Sequence, residues 1–178
     1  MTTFMKTTDY PHHTHRKKTF KIWSTTVMRN LLVLLLAIGI SACTTTRKTL
    51  NFDTSAELNF STSDDINPDT DNRPSPVTLQ IFTLTSPTAF EEASFLTLYE
   101  SPKQALGDTL QTHRRLPEFL PESFRLETLK LDETVRYIGI LAEYNQFEQS
   151  KYRILLPITA HKKNSFDLAI NRLSLDLQ

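Results

Sequence analysis

Apolar residues fall along this chain in three rhythms. The first is an uninterrupted run, Leu31-Leu32-Val33-Leu34-Leu35-Leu36-Ala37-Ile38-Gly39-Ile40. The second is alternation with period two, which predicts strands because successive side chains of a strand point to opposite faces. It places Leu58 and Phe60 on one face of 57–61, Val77, Leu79 and Ile81 on one face of 77–84, and Leu110 between two polar neighbours. It returns in Phe124 with Leu126 and Leu129 with Leu131, after the turn signal Leu120-Pro121-Glu122. It continues in Tyr152, Ile154 and Leu156, in Phe166, Leu168 and Ile170, and in Leu173, Leu175 and Leu177. Within 137–144 both faces are apolar, Ile138, Ile140 and Ala142 opposing Tyr137, Gly139 and Leu141, which predicts a central strand.

The third rhythm is helical. Phe90, Ala93 and Leu96, then Phe95, Leu98 and Tyr99, form an apolar face, and Thr88 with Glu91 fits a capping box. Ser101 is placed as the cap of a second short helix with Pro102 at its first position, and Gly107 ends it. Seven or eight short strands with one helical insert predict a mainly β chain folded as a two-layer β-sandwich. The segment 63–76 breaks every rhythm. It reads Ser63-Asp64-Asp65-Ile66-Asn67-Pro68-Asp69-Thr70-Asp71-Asn72-Arg73-Pro74-Ser75-Pro76, and its three prolines and four aspartates predict a loop.

The first apolar run is too short for a membrane span. Ten helical residues rise about 15 Å, against a bilayer core of about 30 Å. Lys17, Lys18, Lys21 and Arg29 precede it, and the small residues Ser41 and Ala42 follow. A basic region, a short apolar core and small residues at a cleavage point make a secretory signal. Ile40-Ser41-Ala42-Cys43 resembles the bacterial lipobox, in which the thiol is acylated and the chain is cut before it. Cys43 is the only cysteine, so no internal disulfide competes for it. Residues 1–42 therefore read as a lipoprotein signal peptide, whose true start is Met28 or whose basic region is extended. Residues 43–55 read as a Thr-rich lipidated tether, and 56–178 as the folded domain. About a dozen extended residues reach at most about 40 Å, so the tether keeps the domain near its membrane. Thr44 after the lipid, in place of Asp, points to the outer membrane. His12, His13 and His15 are discarded with the signal peptide.

Charge follows the same division. Six Lys/Arg oppose one Asp before Cys43, whereas fourteen oppose nineteen Asp/Glu from Cys43 onward. An acidic mature part argues against nucleic acid, which demands a basic face. Three glycines in the whole chain leave no Gly-rich phosphate loop. His113 stands beside Arg114 and Arg115, and His161 beside Lys162 and Lys163 in an expected hairpin. Both read as surface residues, not metal ligands, since a zinc site gathers three or four ligands. Glu91 and Glu92 are helix neighbours and do not face each other, so they are not an acid–base pair. No G-x-S-x-G elbow occurs. The expectation is a non-enzyme with no cofactor beyond lipid on Cys43.

Several segments, in order, resemble one family. After the lipobox and first strand come Asn67-Pro68-Asp69, Arg73-Pro74-Ser75-Pro76-Val77 and Ile81-Phe82-Thr83-Leu84. There follow 89–99 (Ala89-Phe90 through Phe95-Leu96-Thr97-Leu98-Tyr99), Leu106-Gly107-Asp108 and Tyr137-Ile138-Gly139-Ile140. Their order and spacing, over roughly 56–178, are similar to the type VI secretion lipoprotein family TssJ, also called SciN or VasD. Asn72 stands where the family often has Gly, and Tyr152-Arg153 where it often has Trp-Arg. The resemblance implies a transthyretin-like β-sandwich with an added helical segment. It also implies a structural role at the outer membrane, facing the periplasm. The implied partner is the periplasmic C-terminal domain of the inner-membrane protein TssM, and through it TssL. It further implies that the loop between the first two strands contacts TssM, which makes Asn67, Pro68, Asp69, Arg73, Pro74 and Pro76 the candidate contact residues. The prolines lower the entropy lost on binding, Arg73 offers a fork of donors, and the aspartates can steer a basic partner. The same residues can instead serve only to shape a solvated turn. The other function open to a lipidated β-sandwich is binding of a small molecule or glycan in envelope maintenance.

Overall fold

The computed structural model describes residues 29–30 and 53–178. Arg29 and Asn30 are helical and exposed. The rest of the segment expected to be a signal peptide, Cys43 and the expected tether up to residue 52 lie outside the described residues. The chain divides into two compact units, Met1–Thr46 and Arg47–Gln178, and the fold described below belongs to the second.

Eight strands form in this order: β1 (Thr54–Thr62), β2 (Leu79–Leu84), β3 (Leu110–Arg115), β4 (Phe124–Leu131), β5 (Tyr137–Ala142), β6 (Arg153–Pro157), β7 (Lys163–Ile170) and β8 (Leu175–Leu177). Between β2 and β3 lie three short helices, α1 (Thr88–Glu92), α2 (Phe95–Glu100) and α3 (Pro102–Leu106), then a 3-10 turn, Gly107–Thr109. The strands make two four-stranded sheets of order β4-β1-β7-β8 and β3-β2-β5-β6. All pairings are antiparallel except β1 with β7, which run parallel from Ser55 opposite Lys163 to Thr62 opposite Ile170.

The main core lies between the sheets. Ala56, Leu58 and Phe60 of β1 and Leu168 and Ile170 of β7 meet Leu79 and Ile81 of β2 and Ile138 and Ile140 of β5. β1 shows the alternation cleanly, its odd-numbered residues from Ser55 to Ser61 lying outward and half-buried. β2 is buried at every position because its sheet is covered on both faces. Its outer face, with Phe82, Leu84 and Leu141, carries Phe90 of α1, Phe95 and Leu98 of α2 and Leu106 of α3 as a second core. Gly139 is required there. A Cβ at this position would stand 2.7 Å from Cε2 of Phe90. Arg153 fixes α1 from β6 by donating to the carbonyls of Phe90 and Ala93 at 3.0 and 2.7 Å.

Several expectations change. Thr54 and Ser55, read as tether, are the first residues of β1. β2 begins at Leu79, and Val77 makes an isolated bridge to Phe119. The capping box does not form. The Pro87 carbonyl accepts the first helical bonds, so Thr88 is already inside α1 and has no cap to make. The side-chain cap belongs to α2, where Ser94 Oγ accepts from Thr97 N–H at 3.2 Å. Ser101 does cap α3 in position, though without a side-chain bond, and Gly107 ends it at φ 51°. His161 is not in a hairpin, because β6 and β7 belong to different sheets and the segment between them crosses the sandwich. In β4 the alternation is inverted at its start: Phe124 and Leu126 face solvent while Arg125 and Glu127 are half-buried.

Candidate functional site

The loop between β1 and β2 has a buried base and an exposed tip. At the base, Ile66 is fully buried in the main core, and Asn67 and Pro68 are buried beside it. Asn67 takes the left-handed conformation, φ 45°, which Asn tolerates better than most residues. Every polar group of Asn67 is used. Its N–H donates to Arg172 O at 2.9 Å, Nδ2 donates to Pro76 O at 2.6 Å, and Oδ1 accepts from Asn145 N–H at 2.7 Å. The loop therefore closes on itself at Pro76 and is tied to two distant turns, after β5 and after β7. Gln146 adds a bond from Nε2 to Pro68 O at 3.2 Å. Arg172 reaches back from the β7–β8 turn to Asn72 Oδ1 at 2.8 Å.

The post-β5 turn is itself pinned. Tyr144 is buried, and its hydroxyl contacts Ser174 O at 2.8 Å and Asn171 O at 3.1 Å. Burial first, then nearby Asp176, holds its phenol well above the usual ionisation range.

The tip is a knot around Asp69. Its Oδ1 accepts from the N–H groups of Asp71 and Arg73 at 2.8 and 2.9 Å, and Oδ2 accepts from Arg73 Nε at 3.0 Å. Arg73 also pairs with Asp71 at 3.0 Å. The Arg73 backbone N–H is the main reason the Asp69 carboxyl lies below its ordinary value, with the Arg73 side chain and the Asp71 N–H adding to it. Asn72 turns the tip at φ 62°, so Asn serves where the related pattern often has Gly. Arg73, Pro74 and Pro76 are exposed, Arg73 with 72% of its side-chain surface open. Four aspartates against Arg73 and Arg172 leave this surface acidic.

The six candidate contact residues thus lie in one loop but split by role. Asn67 and Pro68 build the base, Asp69 organises the tip, and Arg73, Pro74 and Pro76 are available to a partner. Sequence reasoning missed Asn145, Gln146 and Arg172, which brace the loop from positions 78 to 100 residues away. Nothing local marks them.

The histidines sit elsewhere. His113 stacks on Phe82 with ring centroids 4.8 Å apart, and its Nε2 pairs with Gln80 Oε1 at 2.7 Å. Loss of hydration holds its imidazole below the usual value. Gln80 in turn donates to Glu143, which Arg115 grips with both Nε and Nη2. Among the described residues, no three His, Cys, Asp or Glu side chains gather to hold a metal ion, and no helix is long and apolar enough to cross a membrane. A concavity of about 420 Å³ beside β3 is lined by Lys103, Asp108, Leu110, Thr112 and His113, and is open and largely polar.

Taken together, the described unit is a lone β-sandwich domain that presents one stiffened, acidic, proline-edged loop. Residues 54–173 match the family model for the type VI secretion lipoproteins VasD, EvfM and TssJ, and the chain belongs to that family. It is a type VI secretion lipoprotein, and its family is structural, not a family of enzymes.

Solved structures agree in fold. The lipoprotein TssJ1 from Pseudomonas aeruginosa is 21% identical with a TM-score of 0.68, covering 71% of this chain and 95% of its own. Lip from Serratia marcescens, a membrane-bound component of the type VI secretion system, is 20% identical with a TM-score of 0.65, covering 70% and 97%. A chain of a structure described as a type VI membrane complex is 16% identical with a TM-score of 0.63, covering 70% and 98%. Another, from a structure described as the TssM C-terminal domain from EAEC, is 15% identical with a TM-score of 0.60, covering 70% and 98%. No curated protein sequence matches the chain.

Proposed function

We propose that this lipoprotein is held at the outer membrane by acyl chains such as palmitate on Cys43, faces the periplasm, and binds the periplasmic C-terminal domain of a TssM-like inner-membrane protein. Residues 1–42 are removed in this reading, and the tether from Cys43 ends at β1. TssL joins through TssM. The observation that carries the reading is the braced loop: its tip is exposed while its base is buried and fully hydrogen-bonded. A loop already ordered loses little entropy on binding. Structures described as a type VI membrane complex and as a TssM C-terminal domain both contain chains of this fold, which supports the choice of partner. Arg73, Pro74 and Pro76 make the contact, Asp69 orients Arg73, and Asn67 and Pro68 support them. Each buried CH₂ of an acyl chain contributes about 0.8 kcal/mol, so several chains hold the subunit durably.

The test is calorimetric titration of the detergent-solubilised lipoprotein with the C-terminal domain of the TssM-like protein of the same organism. Saturable binding that weakens about tenfold with Arg73→Ala, at unchanged unfolding temperature, is expected. Absence of heat at about 100 μM, a ceiling far weaker than any stable interface, overturns the partner.

A further inference from the structure

β4 closes one side of its sheet and carries unusual side chains for an edge. Phe124 is 86% exposed and Leu126 57%, with Leu120 at 58% just before them. Natural edge strands are normally guarded by charge, proline or brevity, because unpaired N–H and C=O groups recruit another strand. β4 is eight residues long. Thr62 N–H donates to Ser123 O, so the alternate residues Ser123, Arg125, Glu127 and Leu129 turn their backbone groups to β1. Phe124, Leu126, Thr128 and Lys130 turn theirs outward. Among the described residues, no loop or turn backbone bond reaches those four positions.

The charge pattern selects an occupant. Consider a second β4 laid antiparallel on this edge about a twofold axis. With the axis at Leu126, Leu126 faces its own copy, Phe124 faces Thr128, and Arg125 and Glu127 face each other twice. Moving the axis one residue sets Glu127 against Glu127 or Arg125 against Arg125, and moving it to Thr128 sets Leu126 against Lys130. Of these registers, the one about Leu126 pairs Arg125 with Glu127 and brings Leu126 onto its own copy.

We infer that β4 is a self-association edge, pairing antiparallel with β4 of a second copy about Leu126 to join two sheets into one of eight strands. Arg125, which donates to Pro117 O and Glu118 O at 2.7 Å and lies 3.9 Å over the Phe119 ring, is held at the edge where the partner's carboxylate arrives. Glu127, paired with Arg114 at 2.8 Å, is held likewise. The inference is independent of the TssM reading, since it uses another surface and another partner.

The test is disulfide trapping of the full chain in the envelope of cells that produce it. Opposed residues in such a pair lie within disulfide range, so Leu126→Cys yields a covalent dimer on mild oxidation. The expected yield is at least about tenfold above the wild type, whose single Cys43 sets the baseline, and above Gln111→Cys on exposed β3. Adding Arg125→Glu or Glu127→Arg alone lowers the yield at least about fivefold, and the two together restore it. A Leu126→Cys yield no higher than the two controls, a cross-link only to a different protein, or a charge swap that fails to restore dimerisation overturns the inference.

Discussion

Asn67→Ala separates the loop's scaffold from its contact surface. The substitution removes the Nδ2 donor from Pro76 O and the Oδ1 acceptor from Asn145 N–H, at 2.6 and 2.7 Å. Asn67 itself is 2% exposed, and its bonds to the otherwise exposed residues Pro76 and Asn145 are part-buried, so each orphaned group costs at most about 1 kcal/mol, the lower end for a buried orphan. Alanine in the left-handed conformation at φ 45° adds about 1 kcal/mol more. The total is at most about 3 kcal/mol, a large fraction of the 5–15 kcal/mol that usually holds a domain together. Urea unfolding followed by tryptophan-independent circular dichroism measures it, and a thermal scan should show a fall of up to about 10 °C. Arg73→Ala, on the exposed tip, leaves both midpoints where they are, because its ion pairs are open to solvent. A loss below about 1 kcal/mol for Asn67→Ala would refute the view that this side chain pins the loop. Equal losses for Asn67→Ala and Arg73→Ala would refute the division into base and tip.

Three further outcomes follow from the same geometry. Gly139→Ala drives a Cβ to 2.7 Å from the Phe90 ring and destabilises by about 1–3 kcal/mol, measured by the same melts; Phe90→Leu in the same chain recovers part of the loss, and purely additive losses would show that the two do not clash. Tyr144→Phe removes the hydroxyl contacts to Ser174 O and Asn171 O and costs about 1 kcal/mol, with faster amide exchange at Asn145 as the local readout. The Asp69 carboxyl, followed by carbon-detected NMR, titrates below 3.8, because the Arg73 and Asp71 N–H groups favour its charged form. A lowered folded value means its hold on the tip is complete above the ordinary carboxylate value and is lost as pH falls through the lowered one. A midpoint at or above 3.8 would show that the knot does not form in solution.

The strands were legible where burial repeats with the period of the element. β1 and β7 show one buried face, and β5, buried on both faces, announces itself as internal to its sheet through Ile138, Ile140 and Leu141. The alternation misled at Phe124 and Leu126, because periodicity reports which residues share a face and not which face meets the core. The capping box failed for a local reason: Pro87 starts α1 one residue earlier than Thr88 requires. The β6–β7 connection was read as a hairpin because sheet membership is a long-range property. For the loop, the prolines and aspartates marked its extent, and Asn72, standing where the family often has Gly, was a fair sign of left-handed backbone, whereas the same conformation at Asn67 was not read. Its bracing by Asn145, Gln146 and Arg172 was invisible, because those bonds join segments whose sequences carry no shared pattern.

That bracing makes the loop a reporter of the whole sandwich. Its base joins β1 to β2, which lie in different sheets, and it is bonded to the exits of β5 and β7, again one from each sheet. Any shear between the layers must therefore stretch bonds at Asn67 before it reaches the tip. The converse also holds. Force applied to the tip by the proposed partner would pass through Asn67 into both sheets at once and would not be absorbed by a pliant hairpin. In the proposed role, spreading the load over four strands is a better use of a fourteen-residue insertion than extra contact area would be.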